Sequence, residues 1–136
     1  MTDIAEAVAF IQEHHRGILA TTRRDGKPQL SPVLAVTDAQ RRVAISSRES
    51  AYKTRNLLRV PFASLCMFED KWYGKWVQVE GPVEVLHLPD ALDPLIDYYR
   101  TAAGETDWQE YRERMMTERR VLIRLTVARA GPSVGG

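Results

Sequence analysis

Arg48, Lys53 and Arg55 fall within eight residues in SSRESAYKTRNLLRV, residues 46–60. Ser46 and Ser47 open that stretch. Ser50 is a candidate cap for a short helix starting near Ala51, which puts Lys53 in the first turn. Backbone N–H groups are unpaired there and the helix dipole is positive. Hydroxyls, free N–H groups and two cations together suit a phosphate or carboxylate. The plain alternative is a solvated helix start with Leu57 and Leu58 turned to the core. A second candidate is KWYGKW, residues 71–76, where Trp72, Tyr73 and Trp76 surround a turn. These rings could form a wall for a flat ligand, or could pack in a core or a subunit interface.

Other chemistries lack their residues. His14, His15 and His87 have no third ligand at a useful spacing and read as surface histidines. Cys66, the only cysteine, sits between Leu65 and Met67 with no cation beside it in sequence, which suits a packed thiol better than a nucleophile. Ser31, Ser46 and Ser47 belong to no nucleophile elbow. Gly74, Gly81 and Gly104 are isolated, so neither GxGxxG nor a Walker loop is present. No side chain stands out as acid, base or nucleophile. An enzyme of this sequence is therefore expected to rely on a bound cofactor.

The elements that would position these residues follow from the apolar spacing. Ile4, Val8 and Ile11 predict a helix over about 3–14, capped by Thr2 or Asp3 and ended by Gly17. Asp25-Gly26 between two apolar runs predicts a hairpin pairing residues 18–23 with 28–36. Pro28 and Pro32 belong at an edge, an end or a bulge of that pair. A third strand runs through RVAISSR, followed by the short helix, and a fourth through FASLCMFED, turning at Asp70-Lys71. KWVQVEGPVEVLHL alternates as a long fifth strand, bent at Gly81-Pro82. Two helices follow, the first capped by Asp90 and stopped by Gly104, the second capped by Thr106 or Asp107. RRVLIRLTVARA alternates as a sixth strand, and the tail GPSVGG is expected to be mobile. This order predicts an α+β domain on a small antiparallel barrel, closed by the last strand.

The 136 residues suit one domain, 1–136, with a sizeable core. The chain is 44% hydrophobic and 27% charged, which suits a soluble globular protein. Nineteen basic residues against eighteen acidic ones give +1, without the basic excess of a general nucleic-acid binder. No apolar run has the length of a membrane span, and no basic leader precedes an apolar core. With a single cysteine, a cytoplasmic location is expected.

Three segments together resemble the pyridoxamine 5′-phosphate oxidase-like split β-barrel family of flavin and deazaflavin proteins. ILATTRRDGKPQLSPV resembles its opening hairpin, SSRESAYKTRNL its Ser…Lys-x-x-Asn-Leu phosphate segment, and WVQVEGPVEVL its Val-x-Val-Glu-Gly strand. DWQEYRERMMTERRVLIRL resembles the closing helix and strand of an actinobacterial branch that uses the deazaflavin F420. The resemblance spans nearly the whole chain, and order and spacing carry it more than any single motif. It implies a homodimeric six-stranded antiparallel split β-barrel with flanking helices and cofactor clefts between subunits. Lys53 resembles the phosphate-binding lysine, with Arg55 or Arg48 as a second cation. Ser46 and Ser47 resemble the strand-end residues facing the phosphate or ring. Gln29, Ser31, Pro32 and Val33 resemble the second-strand segment along the flat ring. Trp76 matches a cofactor contact from the partner subunit. Relatives often carry a basic residue where Ala51 stands, some F420 relatives carry a polar one at Pro32, and flavin mononucleotide (FMN) oxidases often carry glutamine at Trp76. The implied activity is an F420-dependent reductase delivering a hydride to an electron-poor small molecule. The alternatives are an FMN-binding oxidoreductase using the same cleft, or a non-catalytic F420 carrier or ligand-sequestering protein.

Overall fold

A computed structural model describes residues 3–71 and 73–135. Thr2, one of the two expected caps, and Trp72 lie outside the described residues. The elements run α1 (Ile4–Glu13), β1 (Arg16–Thr22), β2 (Pro28–Thr37), β3 (Val43–Arg48), α2 (Tyr52–Arg59), β4 (Phe62–Phe68) and β5 (Lys75–Leu86). Then follow α3 (Leu92–Ala103), α4 (Trp108–Glu118), β6 (Arg120–Leu125) and β7 (Arg129–Gly135).

The strands are antiparallel in the order β4-β1-β2-β3-β6-β5, and β5 pairs back onto β4, closing a six-stranded barrel. RRVLIRL is the strand its alternation predicts, and it closes the barrel by returning between β3 and β5. β5 is shared between two ladders. Its first half pairs with β4, and beyond Gly81-Pro82 its second half pairs with β6. At Gly81 a Cβ would collide with the Thr126 carbonyl oxygen, so only glycine lets the two chains cross.

The tail departs from expectation. Residues 129–135 are not loose but continue along β5 as β7, with Glu80 opposite Arg129 and Lys75 opposite Gly135. The first half of β5 has its other edge available there, and unpaired backbone groups favour a further strand. Strand alternation signals this segment poorly, because Gly131, Pro132 and Gly135 interrupt it.

Local caps explain other differences. Asp3 accepts the Glu6 N–H at 2.7 Å and Asp107 that of Glu110 at 3.1 Å, so α1 and α4 start as the sequence indicates. Ser50 and Asp90 do not cap: α2 and α3 follow Ala51 and Ala91 without a side-chain bond. α1 ends at His14, which turns extended, and not at Gly17. Gly17 lies inside β1, where a Cβ would strike the Met67 sulfur and sit 2.8 Å from the Cys66 carbonyl oxygen. Gly104, at φ 88°, does stop α3.

Two apolar clusters result. Leu19, Ile45, Leu65, Val79 and Ile123 fill the barrel and α1 plugs it with Ala7 and Ile11. Outside the sheet, Val36, Ala44 and Leu122 meet Leu95 and Ile96 of α3 and Tyr111 and Met115 of α4. Successive strand residues therefore serve different faces. Cys66 is half-buried in β4 and burial pushes its thiol upward, which fits a packed thiol.

Candidate functional site

Strand alternation separates the two serines that end β3. Ser47 faces the barrel and is 1% exposed. Thr54 in α2 donates to its hydroxyl at 2.9 Å and sits 2.7 Å from the Arg48 carbonyl oxygen. This tie fixes α2 against the end of β3. Ser46 faces outward beneath α3 and α4, opposite Leu122 of β6. Lys53, one residue before the Thr54 tie, lies over that outer face. Ser46 and Lys53 line one cleft of ≈ 510 Å³, with Pro32, Val33 and Leu34 of β2 on one side. Tyr98 and Tyr99 of α3 and Tyr111, Arg114 and Glu118 of α4 form the other side, and Arg120 opens β6 at its end.

The cleft is cationic and partly dry. Burial, and secondarily the Arg120 charge, hold the Lys53 ammonium below its ordinary value of 10.5. No carboxylate among the described residues offsets that shift. Glu118 instead accepts from Arg120 at 2.9 Å and from Arg48 at 3.5 Å, and the Arg120 bond chiefly lowers its carboxyl. Three cations, Lys53, Arg114 and Arg120, thus face a single carboxylate. A desolvated ammonium beside a second cation gains most from an incoming anion. The Tyr98 hydroxyl donates to the Leu34 carbonyl at 2.8 Å and pins α3 to β2. Tyr111 donates to Leu95 at 2.9 Å, and burial pushes its hydroxyl up to about 12. Both phenols stay protonated at neutral pH. The cleft therefore joins an apolar β2 wall to a cationic end.

The nine residues singled out from the sequence do not all meet. Lys53, Ser46, Pro32 and Val33 share this cleft, and Ser47 stands behind it in the core. Gln29 and Arg55 line a separate cleft of ≈ 300 Å³ on the other flank of α2. Ser31 lies opposite Leu19 in the β1–β2 ladder and lines neither cleft. Trp76 pairs with Phe68 at the start of β5 and lines a third, mostly apolar cleft of ≈ 490 Å³ with Cys66 and Tyr73. The described chain does not join Trp76 to Lys53. Of the expected helix core, Leu57 is buried but Leu58 is 55% exposed.

Sequence reasoning missed Tyr98, Arg114, Glu118 and Arg120. A signal existed for two of them. Tyr111, Arg114, Met115 and Glu118 follow i, i+3, i+4, i+7 spacing, so Arg114 and Glu118 share the face already read as apolar. Arg120 is marked only by register, since it stands opposite Arg48.

The profile of the pyridoxamine 5′-phosphate oxidase family matches residues 4–132. The chain belongs to this family. Among solved structures, a conserved hypothetical protein of Mycobacterium tuberculosis is 24% identical at a TM-score of 0.77, covering 100% of this chain and 94% of that one. An F420 reductase is 22% identical at 0.68, covering 90% and 94%. The heme storage protein HutZ of Vibrio cholerae is 20% identical at 0.74, covering 97% and 95%. At these identities the likeness establishes the shared fold.

Proposed function

We propose that this family member is an F420-dependent oxidoreductase whose cofactor lies in the Lys53 cleft. The observation that carries the reading is Lys53 itself: a half-buried ammonium without a carboxylate partner among the described residues, beside Ser46 and Arg120. That donor set fits a phosphate. The apolar wall of Pro32, Val33 and Leu34 fits a flat ring, and the cleft of ≈ 510 Å³ lies within the range of cofactor sites. The likeness to an F420 reductase supports the same choice. When bound, the deazaflavin supplies a hydride to an electron-poor acceptor. The chain's own part is to bind, orient and exclude water. Lys53 and Arg120 would hold the phosphate, Ser46 would donate to it, and the β2 wall would lie along the ring. Tyr98 holds that wall by fixing α3 to β2. The family resemblance would bring Trp76 to the cleft from a second subunit of a homodimer; within one chain it lines a different surface.

A second reading, a protein that holds its ligand without turnover, is favoured by the likeness to a heme storage protein. Titration of pure protein with F420 and with FMN, read by fluorescence, tests the first reading. Clear F420 binding and weaker FMN binding are expected, with the bound sample running as a dimer in light scattering. The reverse order of affinities overturns the cofactor assignment. Tight F420 binding without turnover across an acceptor panel favours the second reading.

A further inference from the structure

The flank of α2 opposite the Lys53 cleft gathers cations that the proposed cofactor seat does not use. Arg23 and Arg24 come from the β1–β2 loop, and Arg55 and Arg59 from α2. Tyr52, Arg55, Asn56 and Arg59 follow i, i+3, i+4, i+7 spacing and so form one helix face. They border a cleft of ≈ 300 Å³ that no carboxylate lines and that shares no lining residue with the Lys53 cleft.

The arrangement is built. Asn56, 7% exposed, donates to the Thr21 hydroxyl at 3.1 Å and accepts from Arg59 at 3.0 Å. Arg59 also donates to the Thr22 carbonyl at 2.7 Å, so its guanidinium is fixed from two sides. Asp25 holds Arg23 with two bonds, at 3.1 and 2.6 Å. Arg24 and Arg55 have no side-chain partner among the described residues. Like charges brought together and partly immobilised raise the local potential, and the guanidinium fork matches oxyanions.

We infer that this flank is a second anion site, for an oligoanion with adjacent phosphate or carboxylate groups, held by Arg24, Arg55 and Arg59. Such a group has two sources: the anionic tail of a deazaflavin seated at Lys53, or a separate metabolite. The inference does not depend on the cofactor reading, because the site is probed with inorganic pyrophosphate alone.

Calorimetric titration with pyrophosphate is made on Lys53→Ala protein, which removes the first cleft's lysine, and on the same protein carrying Arg24→Ala and Arg55→Ala. Both arginines are exposed and unpartnered, so the fold is expected to survive their loss, and circular dichroism checks it. Saturable binding is expected in Lys53→Ala and a loss of about tenfold or more in the triple variant. No binding in Lys53→Ala, or equal binding in both, overturns the site. Pyrophosphate binding is then repeated on unmodified protein saturated with F420. Displacement assigns the site to the cofactor's own tail and retention assigns it to a separate metabolite; either supports the site. Pyrophosphate binding without F420 binding overturns only the reading of the Lys53 cleft.

Discussion

The two flanks of α2 hold cations in opposite ways. On one, Lys53 is half-buried among tyrosines, next to Arg120, with Glu118 as the nearby countercharge. On the other, four arginines stand in or near solvent, two of them set by hydrogen bonds to Asn56, Thr22 and Asp25. Burial makes one charge count for more and makes shape matter as much as charge. Exposure lets several charges coexist at little cost, but salt screens them over about 8–10 Å at ordinary ionic strength. With both clefts binding as proposed, one eight-residue helix serves a selective flank and a permissive one.

The largest expected effect comes from the residue that builds the permissive flank. Asn56→Leu removes the donor to Thr21 and the acceptor for Arg59, leaving the buried Thr21 hydroxyl without its partner and Arg59 held only by the Thr22 carbonyl. A loss of about 2–3 kcal/mol of stability is expected in urea unfolding, on the scale of buried polar groups losing partners. Pyrophosphate binding should fall with it, while Lys53-dependent cofactor binding persists in the folded fraction. A loss below about 0.5 kcal/mol would mean Asn56 is not the organising residue and that the two flanks are less distinct.

Next in size is Lys53→Ala, expected to weaken cofactor binding by about 1–3 kcal/mol, as for a lost charge-assisted hydrogen bond. The pH dependence sharpens the contrast. Lys53 is depressed below 10.5 by burial and by Arg120, so the folded state binds fewer protons than the unfolded one just below that value. Stability of the apoprotein therefore rises with pH in that window. Cofactor affinity moves the other way, because a phosphate needs the charged ammonium and loses it as pH rises through the lowered value. Lys53→Arg should abolish this alkaline limb in a fluorescence titration series, since arginine stays charged. An unchanged limb would place the titrating group elsewhere.

Much of the barrel was legible because its signals are local. Asp25-Gly26 fixes the first hairpin, with Gly26 at φ 82°, and apolar alternation marks β5 and β6. What escaped depends on long-range pairing. β7 exists because β5 offers an edge, and no alternation survives Gly131 and Pro132 to announce it. The candidate site divides in the same manner. Lys53 and Ser46 could be found together because they are near in sequence. The same nearness groups Arg55 with Lys53, yet two residues of a helix turn a side chain roughly 200° and place it on the far flank. Ser47 stands beside Ser46 in sequence, but the two-residue period of a strand puts it in the core. Tyr98, Arg114 and Arg120 come from elements that close over the cleft only after the chain has returned.

The smallest expected effect is also the most discriminating for the charge balance of the selective flank. Glu118→Gln keeps the shape of the side chain and removes its charge from Arg120 and Arg48. Arg120 then bears more strongly on both Lys53 and an incoming phosphate. Phosphate affinity in the Lys53 cleft should rise by about 0.5–1 kcal/mol, the scale of an exposed ion pair, while the arginine flank stays unchanged. The stability change carries its own sign. The Glu118 carboxyl is lowered by Arg120, so its contribution is present above the ordinary 4.5 and is lost as pH falls through the lowered value. Unmodified and Glu118→Gln proteins should therefore differ in Tm at neutral pH and converge in acid. If the substitution instead raises pyrophosphate affinity on the arginine flank, the two clefts share one electrostatic field and the division across α2 fails.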